Sequence, residues 1–301
     1  MISDNEIARH ATLDTESMLS DLDELDFKLE EFDFEELGLI DFELPSLLNN
    51  SDKEDTIPDN NNNSIVTRNG DIWVLGKHLL MCGDSTVIDN VQKLLQGKKV
   101  DLVFTDPMYD DTCNKIEAFC SILSSIDVDH ILLMTTFKQA VQILKNKFKF
   151  RFDLVLNQLV PSSTMNKKVP YYLHKNIIYV TKKEETIFNC DNAKGVFSEA
   201  GYYPSVIESA KNTKNSHGLA KNDEGIIKIL SGFKAKTIVD FFAGGGSTLI
   251  ACEKTKRACL SMEIEEKYCD IIIKRWQDYT GRDAILTSEG CTFNSKLERG
   301  D

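Results

Sequence analysis

Thr237-Ile238-Val239-Asp240-Phe241-Phe242-Ala243-Gly244-Gly245-Gly246-Ser247-Thr248 is the stretch that decides the fold. An apolar strand ends in an acid, three glycines turn the chain, and a helix opens behind them. Such a turn lets backbone approach a ligand closely, and the helix N-terminus behind it favours negative charge. The next apolar strand, Ala258–Glu263, ends in a second acid 17 residues past Gly246. An acid at that position can accept both hydroxyls of a ribose. Read alone, Glu263 is a solvated strand-end carboxylate; joined to the glycine turn, it points to a nucleoside. At this level a nicotinamide dehydrogenase and any other nucleoside-binding enzyme fit equally well.

Outward from this stretch the pattern alternates. Asp71–Leu75 and His78–Cys82, separated by Gly76-Lys77, read as a hairpin. Ser85 is expected to cap a helix running to about Leu95 and closed by Gly97. Val100–Thr105 is an apolar run suited to a buried parallel strand. Helices are expected over Ile116–Ile126, Phe137–Leu144, Ile226–Leu230 and Glu266–Tyr279, with a helix start over Thr248–Glu253. Strands are expected over His130–Met134, Phe152–Leu156, Ile177–Val180, Thr237–Phe241 and Ala258–Glu263. Strands alternating with helices imply an α/β fold, a doubly wound, mostly parallel sheet with helices on both faces.

Composition narrows the setting. The chain has 301 residues and a net charge of −13. Residues 1–60 hold 19 acids against 3 bases, a net of −16, so the remaining 241 residues carry about +3. The acidity therefore belongs to the N-terminal segment and does not bar the rest from a polyanion. No apolar run is long enough to span a bilayer, and the first residues lack a signal peptide's basic start and apolar stretch. The eight cysteines form no C-x-x-C pair and have no histidine at zinc-ligand spacing. The expectation is a cytoplasmic protein with reduced, mostly buried thiols and no metal. Residues 1–48 read as an acidic helical segment, 49–64 as a polar linker and 65–287 as the main domain. Interrupted polar insertions fall near 159–172 and 189–216, and a tail covers 288–301.

The apolar strand Val100–Thr105 runs into Asp106-Pro107-Met108-Tyr109, and here the sequence resembles the D-P-P-Y motif of DNA adenine methyltransferases. The block from Phe242 to Trp276 is similar to that family's cofactor region. Gly70-Asp71, Cys82-Gly83-Asp84-Ser85 and Tyr172-Leu173-His174 are family-like as well. The catalytic motif precedes the cofactor motif, an order that resembles the β class of amino methyltransferases. The likeness covers roughly residues 65–287. It implies a Rossmann-like class I methyltransferase using S-adenosyl-L-methionine on double-stranded DNA, with the target base flipped from the duplex. Restriction-modification is the implied setting, and the oligomeric state stays open between monomer and dimer. By the same resemblance, Asp106, Pro107, Met108 and Tyr109 form the catalytic loop. Asp84, Asp240, Phe242, Ala243, Gly244, Gly246, Ser247, Thr248 and Glu263 bind the cofactor. Ser3–Glu6 and Phe34–Gly38 resemble the tail of a ParB-like domain whose body is missing.

The chemistry explains these residue types. An aromatic amine is a weak nucleophile because its lone pair is delocalised into the ring. Asp106 would accept one amino N–H and the Pro107 carbonyl the other, both contacts strengthening as charge builds on nitrogen. Tyr109 would stack on the target base. An aspartate at the first motif position favours adenine, whereas serine there would suggest cytosine; N4-cytosine specificity stays open as an alternative. The chain departs from the family at Met108, which stands where a second proline is usual and removes a φ restraint. It departs again at Asp110-Asp111, which would repel phosphate, and at His217–Asn222, which lacks two prolines. These departures keep a second reading open: a methylase-derived nucleic-acid-binding module without turnover. Lys167, Lys168, Lys211 and Lys214 are candidate phosphate contacts, or equally solvated loop lysines.

Overall fold

Four consecutive buried residues, Leu102-Val103-Phe104-Thr105, make β3, a strand covered on both faces. Around it the described residues build a ten-stranded sheet. The computed structural model describes residues 65–107, 113–157, 174–186, 188–198, 202–208 and 223–299. The N-terminal segment, the linker, Met108–Asp111, the insertion near 159–172 and His217–Asn222 lie outside them.

The elements in chain order are β1 (Ile72–Leu75), β2 (His78–Cys82), α1 (Ile88–Leu95), β3 (Leu102–Thr105), α2 (Cys113–Ser125), β4 (His130–Thr135) and α3 (Phe137–Leu144). They continue with β5 (Lys149–Asn157), β6 (His174–Thr181), β7 (Val206–Glu208), α4 (Asp223–Ser231), β8 (Thr237–Asp240) and α5 (Ser247–Lys254). The chain finishes with β9 (Ala258–Glu263), α6 (Glu266–Thr280), β10 (Ile285–Leu286) and α7 (Phe293–Arg299). The pairs β2–β9, β9–β8, β8–β3 and β3–β4 are parallel, whereas β6 runs antiparallel to both β4 and β5. From β8 the chain winds through α5 to β9; from β3 it winds through α2 to β4 on the other side. The order of winding reverses between β8 and β3, and doubly wound sheets bind ligands at the carboxyl ends of strands at such a reversal.

Alternation along the strands divides the core. Val103, Ile131, Leu133, Ile178, Val180, Val239, Leu260 and Met262 face α1, α2 and α3 in one apolar cluster. α3 is opened by a capping box in which Thr136 Oγ1 accepts from Gln139 N and the Gln139 side chain accepts from Thr136 N. At the far edge Phe293 of α7 is fully buried and meets Trp73 edge-on at 5.5 Å.

Two sequence expectations are corrected. α1 starts at Ile88, with Val87 as an uncapped first position, because Asp84 rather than Ser85 organises the turn: Asp84 Oδ1 accepts from Thr86 N and from Thr86 Oγ1. The helix closes on Gln96 at φ +50° rather than on Gly97 alone. β7 was not expected inside the insertion near 189–216, nor β10 and α7 near the C-terminal end of the chain. All three are short and take their definition from what they pack against rather than from their own periodicity.

Candidate active site

Four neighbouring strands, β2, β9, β8 and β3, end on one rim, spanning about 14 Å at the usual strand spacing of ~4.8 Å. Each end carries an acid: Asp84 beyond β2, Glu263 closing β9, Asp240 closing β8 and Asp106 beyond β3.

The centre of the rim is a bridge between β3 and β8. Thr105 Oγ1 donates to Asp240 Oδ1 at 2.7 Å and accepts from Phe241 N at 3.1 Å. Phe242 N donates to the same Asp240 oxygen at 3.1 Å. Asp240 is 3% exposed, so these bonds are what makes its burial tolerable. The Phe242 ring is partly buried and leans edge-on against Phe119 at 5.1 Å. The sequence around Thr105 carries no sign of this role; only the fold brings it to Asp240, 135 residues away.

The glycine turn is fixed from both sides. Ala243 N donates to Met262 O at 2.9 Å, and Gly244 N donates to Glu263 Oε2 at 2.8 Å. Gly246 caps α5 at φ +78°, and a side chain there would meet Ile272 at 3.1 Å. Gly244, at φ +52°, has open space where a Cβ would stand. Arg275, 2% exposed, donates from α6 to Gly245 O at 2.6 Å and to Ser247 Oγ at 3.3 Å. Ser247 and Thr248 lie buried in the first turn of α5.

Glu263 accepts Gly244 N on one oxygen and Glu265 N on the other. Burial pushes its pKa up, while those backbone N–H groups pull it back. A carboxylate has about four acceptor positions, so these backbone bonds leave acceptor capacity for a ribose hydroxyl. Gly83 N donates to Glu263 O at 2.8 Å, which brings the Asp84 turn alongside. An open space at Gly244, a helix N-terminus behind it, and acids at Glu263 and Asp84 fit an adenosine carrying a charged tail.

Asp106 and Pro107 follow β3 directly, Asp106 partly buried and Pro107 buried. Lys175 Nζ of β6 lies 3.8 Å from Asp106 Oδ2. Met108 and Tyr109, the other half of the expected catalytic loop, lie outside the described residues. Among the described residues no helix is long and apolar enough to cross a membrane, and no cluster of His, Cys, Asp or Glu could hold a metal ion.

The doubly wound sheet with a glycine turn at its reversal is a Rossmann-like fold. The sequence narrows this further: residues 85–274, more than half the chain, match the family model N6_N4_Mtase, described as DNA methylase. The chain belongs to that family, whose chemistry is DNA methylation and whose methyl donor is S-adenosyl-L-methionine. Among solved structures, M1.HpyAVI is 20% identical with a TM-score of 0.51, the match covering 65% of this chain and 96% of that one. The M1.HpyAVI-SAM complex matches at 20% identity over 65% of this chain and 98% of that one, with a TM-score of 0.49. The cytosine-N4-specific PvuII DNA methyltransferase is 13% identical, covering 66% of this chain and 86% of that one, at a TM-score of 0.47. No curated protein matches the sequence.

Proposed function

We propose that this chain methylates the exocyclic amine of adenine in double-stranded DNA, taking the methyl group from S-adenosyl-L-methionine. The observation that carries the reading is the Thr105 bridge, which couples the Asp106-Pro107 strand end to the glycine turn through Asp240. Amine methylation needs this coupling, because the nitrogen and the methyl carbon must meet in line.

The assignment of residues follows from chemistry. Bound at the turn, the cofactor supplies an electrophilic methyl on a sulfonium. Glu263 holds the ribose hydroxyls, Asp84 the adenine side, and Asp240 with Phe242, Ala243, Gly244, Gly246, Ser247 and Thr248 shapes the tail side. Asp106 and the Pro107 carbonyl accept the two amino protons of the target base. The base is flipped from the duplex and stacks on Tyr109, with Met108 completing the loop. Asp106 would take up the surplus proton that the amine sheds on accepting the methyl group. Lys167, Lys168, Lys211 and Lys214 serve as phosphate contacts. Residues 1–48 and the linker 49–64 are a separate acidic appendage to the methyltransferase domain.

The test is incubation of the chain with tritiated S-adenosyl-L-methionine and unmethylated DNA, followed by nucleoside separation. Label in N6-methyladenine is the expected result. Label in N4-methylcytosine overturns the adenine assignment alone. Cofactor binding with no label in any DNA supports the second reading, a binding module, which the Met108 departure favours.

A further inference from the structure

We propose that Lys175 is a positioning residue for Asp106, holding the acceptor carboxylate toward the target amine without occupying its lone pairs. This rests on the methyl-transfer reading above and deepens it.

The topology makes the contact deliberate. β4 lies between β3 and β6 in the sheet, so Lys175 must reach across one intervening strand, about 10 Å between backbones at two strand spacings. Val103 of β3, Ile131 and Leu133 of β4, and Ile178 and Val180 of β6 all face the same apolar cluster. Alternation then puts Leu102, Phe104 and Asp106 on the opposite face, together with Lys175, Ile177 and Tyr179. Only a long cationic side chain can bridge that gap and arrive charged.

The distance carries the argument further. At 3.8 Å the ammonium is near enough to attract the carboxylate but too far to make a hydrogen bond to Oδ2. A hydrogen-bonded lysine would compete with the amine for acceptor positions. A lysine at ion-pair range attracts and orients Asp106 without itself taking one of its acceptor positions. The side chains are 14% and 11% exposed, so water screens the attraction only in part. The same burial argues against a phosphate contact for Lys175, because a duplex backbone reaches exposed cations. Asp106 stands at a strand end beside this lysine, and a misplacement of about 1 Å in a reacting group costs on the order of 10²-fold in rate.

The experiment uses the full chain as Lys175→Met, Lys175→Arg, Asp106→Asn and the Lys175→Met/Asp106→Asn double variant. Each is assayed for kcat, for KM toward DNA and cofactor, for the salt dependence of DNA binding, and for melting temperature. Lys175→Met is expected to lower kcat about 10²-fold with both KM values nearly unchanged. Lys175→Arg is expected to recover most of the rate, and Lys175→Met to add nothing once Asp106 is Asn. The proposal fails if Lys175→Met leaves kcat intact, or if it weakens DNA binding and reduces the salt slope by about one phosphate's worth. A wild-type chain that transfers no methyl overturns the functional reading and the positioning role with it. The same cycle read on melting temperature then still reports whether the Lys175–Asp106 pair exists.

Discussion

Replacing Thr105 by Val keeps the shape of β3 and removes one hydroxyl. That hydroxyl makes two bonds, one to a buried carboxylate and one from a backbone N–H. Thr105 is 1% exposed and Asp240 3%, so water cannot replace either partner. A hydrogen bond to a charged group contributes about 1.5–3 kcal/mol, and an orphaned buried N–H costs about 1–3 kcal/mol more. The variant should therefore lose about 3 kcal/mol, near the low end of that combined range and a large fraction of a domain's whole margin of roughly 5–15 kcal/mol. In a domain of this size that lowers the melting temperature by about 6–12 °C. Thr105→Ser keeps both bonds and loses one methyl, so it should cost no more than about 1 kcal/mol. Calorimetric titration with S-adenosyl-L-methionine supplies the second readout. Asp240 and Phe242 share the freed oxygen, so Thr105→Val should weaken cofactor binding and Thr105→Ser should not. A Thr105→Val chain that melts within about 1 °C of wild type and binds cofactor equally well would show that the bridge does not couple the two strand ends.

Three further outcomes follow from the same geometry. Asp106→Asn should lower kcat by about 10²–10³-fold, the scale of losing one preorganised polar contact in a transition state, with cofactor affinity by calorimetry unchanged. Gly246→Ala and Gly244→Ala should separate stability from binding. Each adds left-handed strain of roughly 1–2 kcal/mol, but only Gly246→Ala also meets Ile272, while only Gly244→Ala fills the open space beside Glu263. Melting should fall further in the first, and cofactor affinity further in the second. Stability should also fall on acidification below about pH 6.5. Burial lowers the pKa of both His78 and His130 in the folded chain from the usual 6.5. The unfolded chain thus gains protons first, and the stabilisation present above 6.5 drains away as pH drops toward the folded values. Urea midpoints from pH 8 to 5 should show this slope, and a His78→Asn chain with an undiminished slope would assign it elsewhere.

The sheet was legible because its signals are local. β3 and β8 announce themselves as apolar runs ending in Asp106-Pro107 and in the glycine turn, and the helix over Phe137–Leu144 matches its expected bounds. β6 begins at His174 and β5 at Lys149, both earlier than their apolar centres, because polar residues join a strand when a neighbour supplies the hydrogen-bond ladder. The strand-end acids were legible as candidates, but not what they touch. Asp84 looked like a simple cofactor contact; it also ties its own turn through Thr86. Glu263 looked free for a ribose; it also ties the glycine turn to the start of α6.

What sequence reading could not reach are bonds between residues far apart in the chain, and these concentrate where the sheet must be rigid. At the opposite ends of the strands His78 Nε2 lies 2.7 Å from Glu253 Oε2, while His78 Nδ1 accepts from Cys259 N. Accepting at Nδ1 fixes the tautomer: the ring is neutral and donates to Glu253. Trp276 Nε1 donates to the same carboxylate oxygen, and Arg282 donates to the other at 2.7 Å. Burial works against the charge on Glu253, but these three donors outweigh it and hold the carboxyl well below its usual range. The network fastens β2, α5, β9 and α6 at their far ends, and the Thr105 bridge, Arg275 and Glu263 fasten the same sheet at the near rim. With both ends held, the loop after Pro107 can depart from the family pattern at Met108 without moving Asp106. On the proposed reading the departure would act on the target base, and the place to look for its effect is the DNA term rather than the cofactor term. Met108→Pro should lower KM for DNA and leave cofactor affinity unchanged in steady-state assays; a change in cofactor affinity instead would show that the rim is less rigid than its bonds imply.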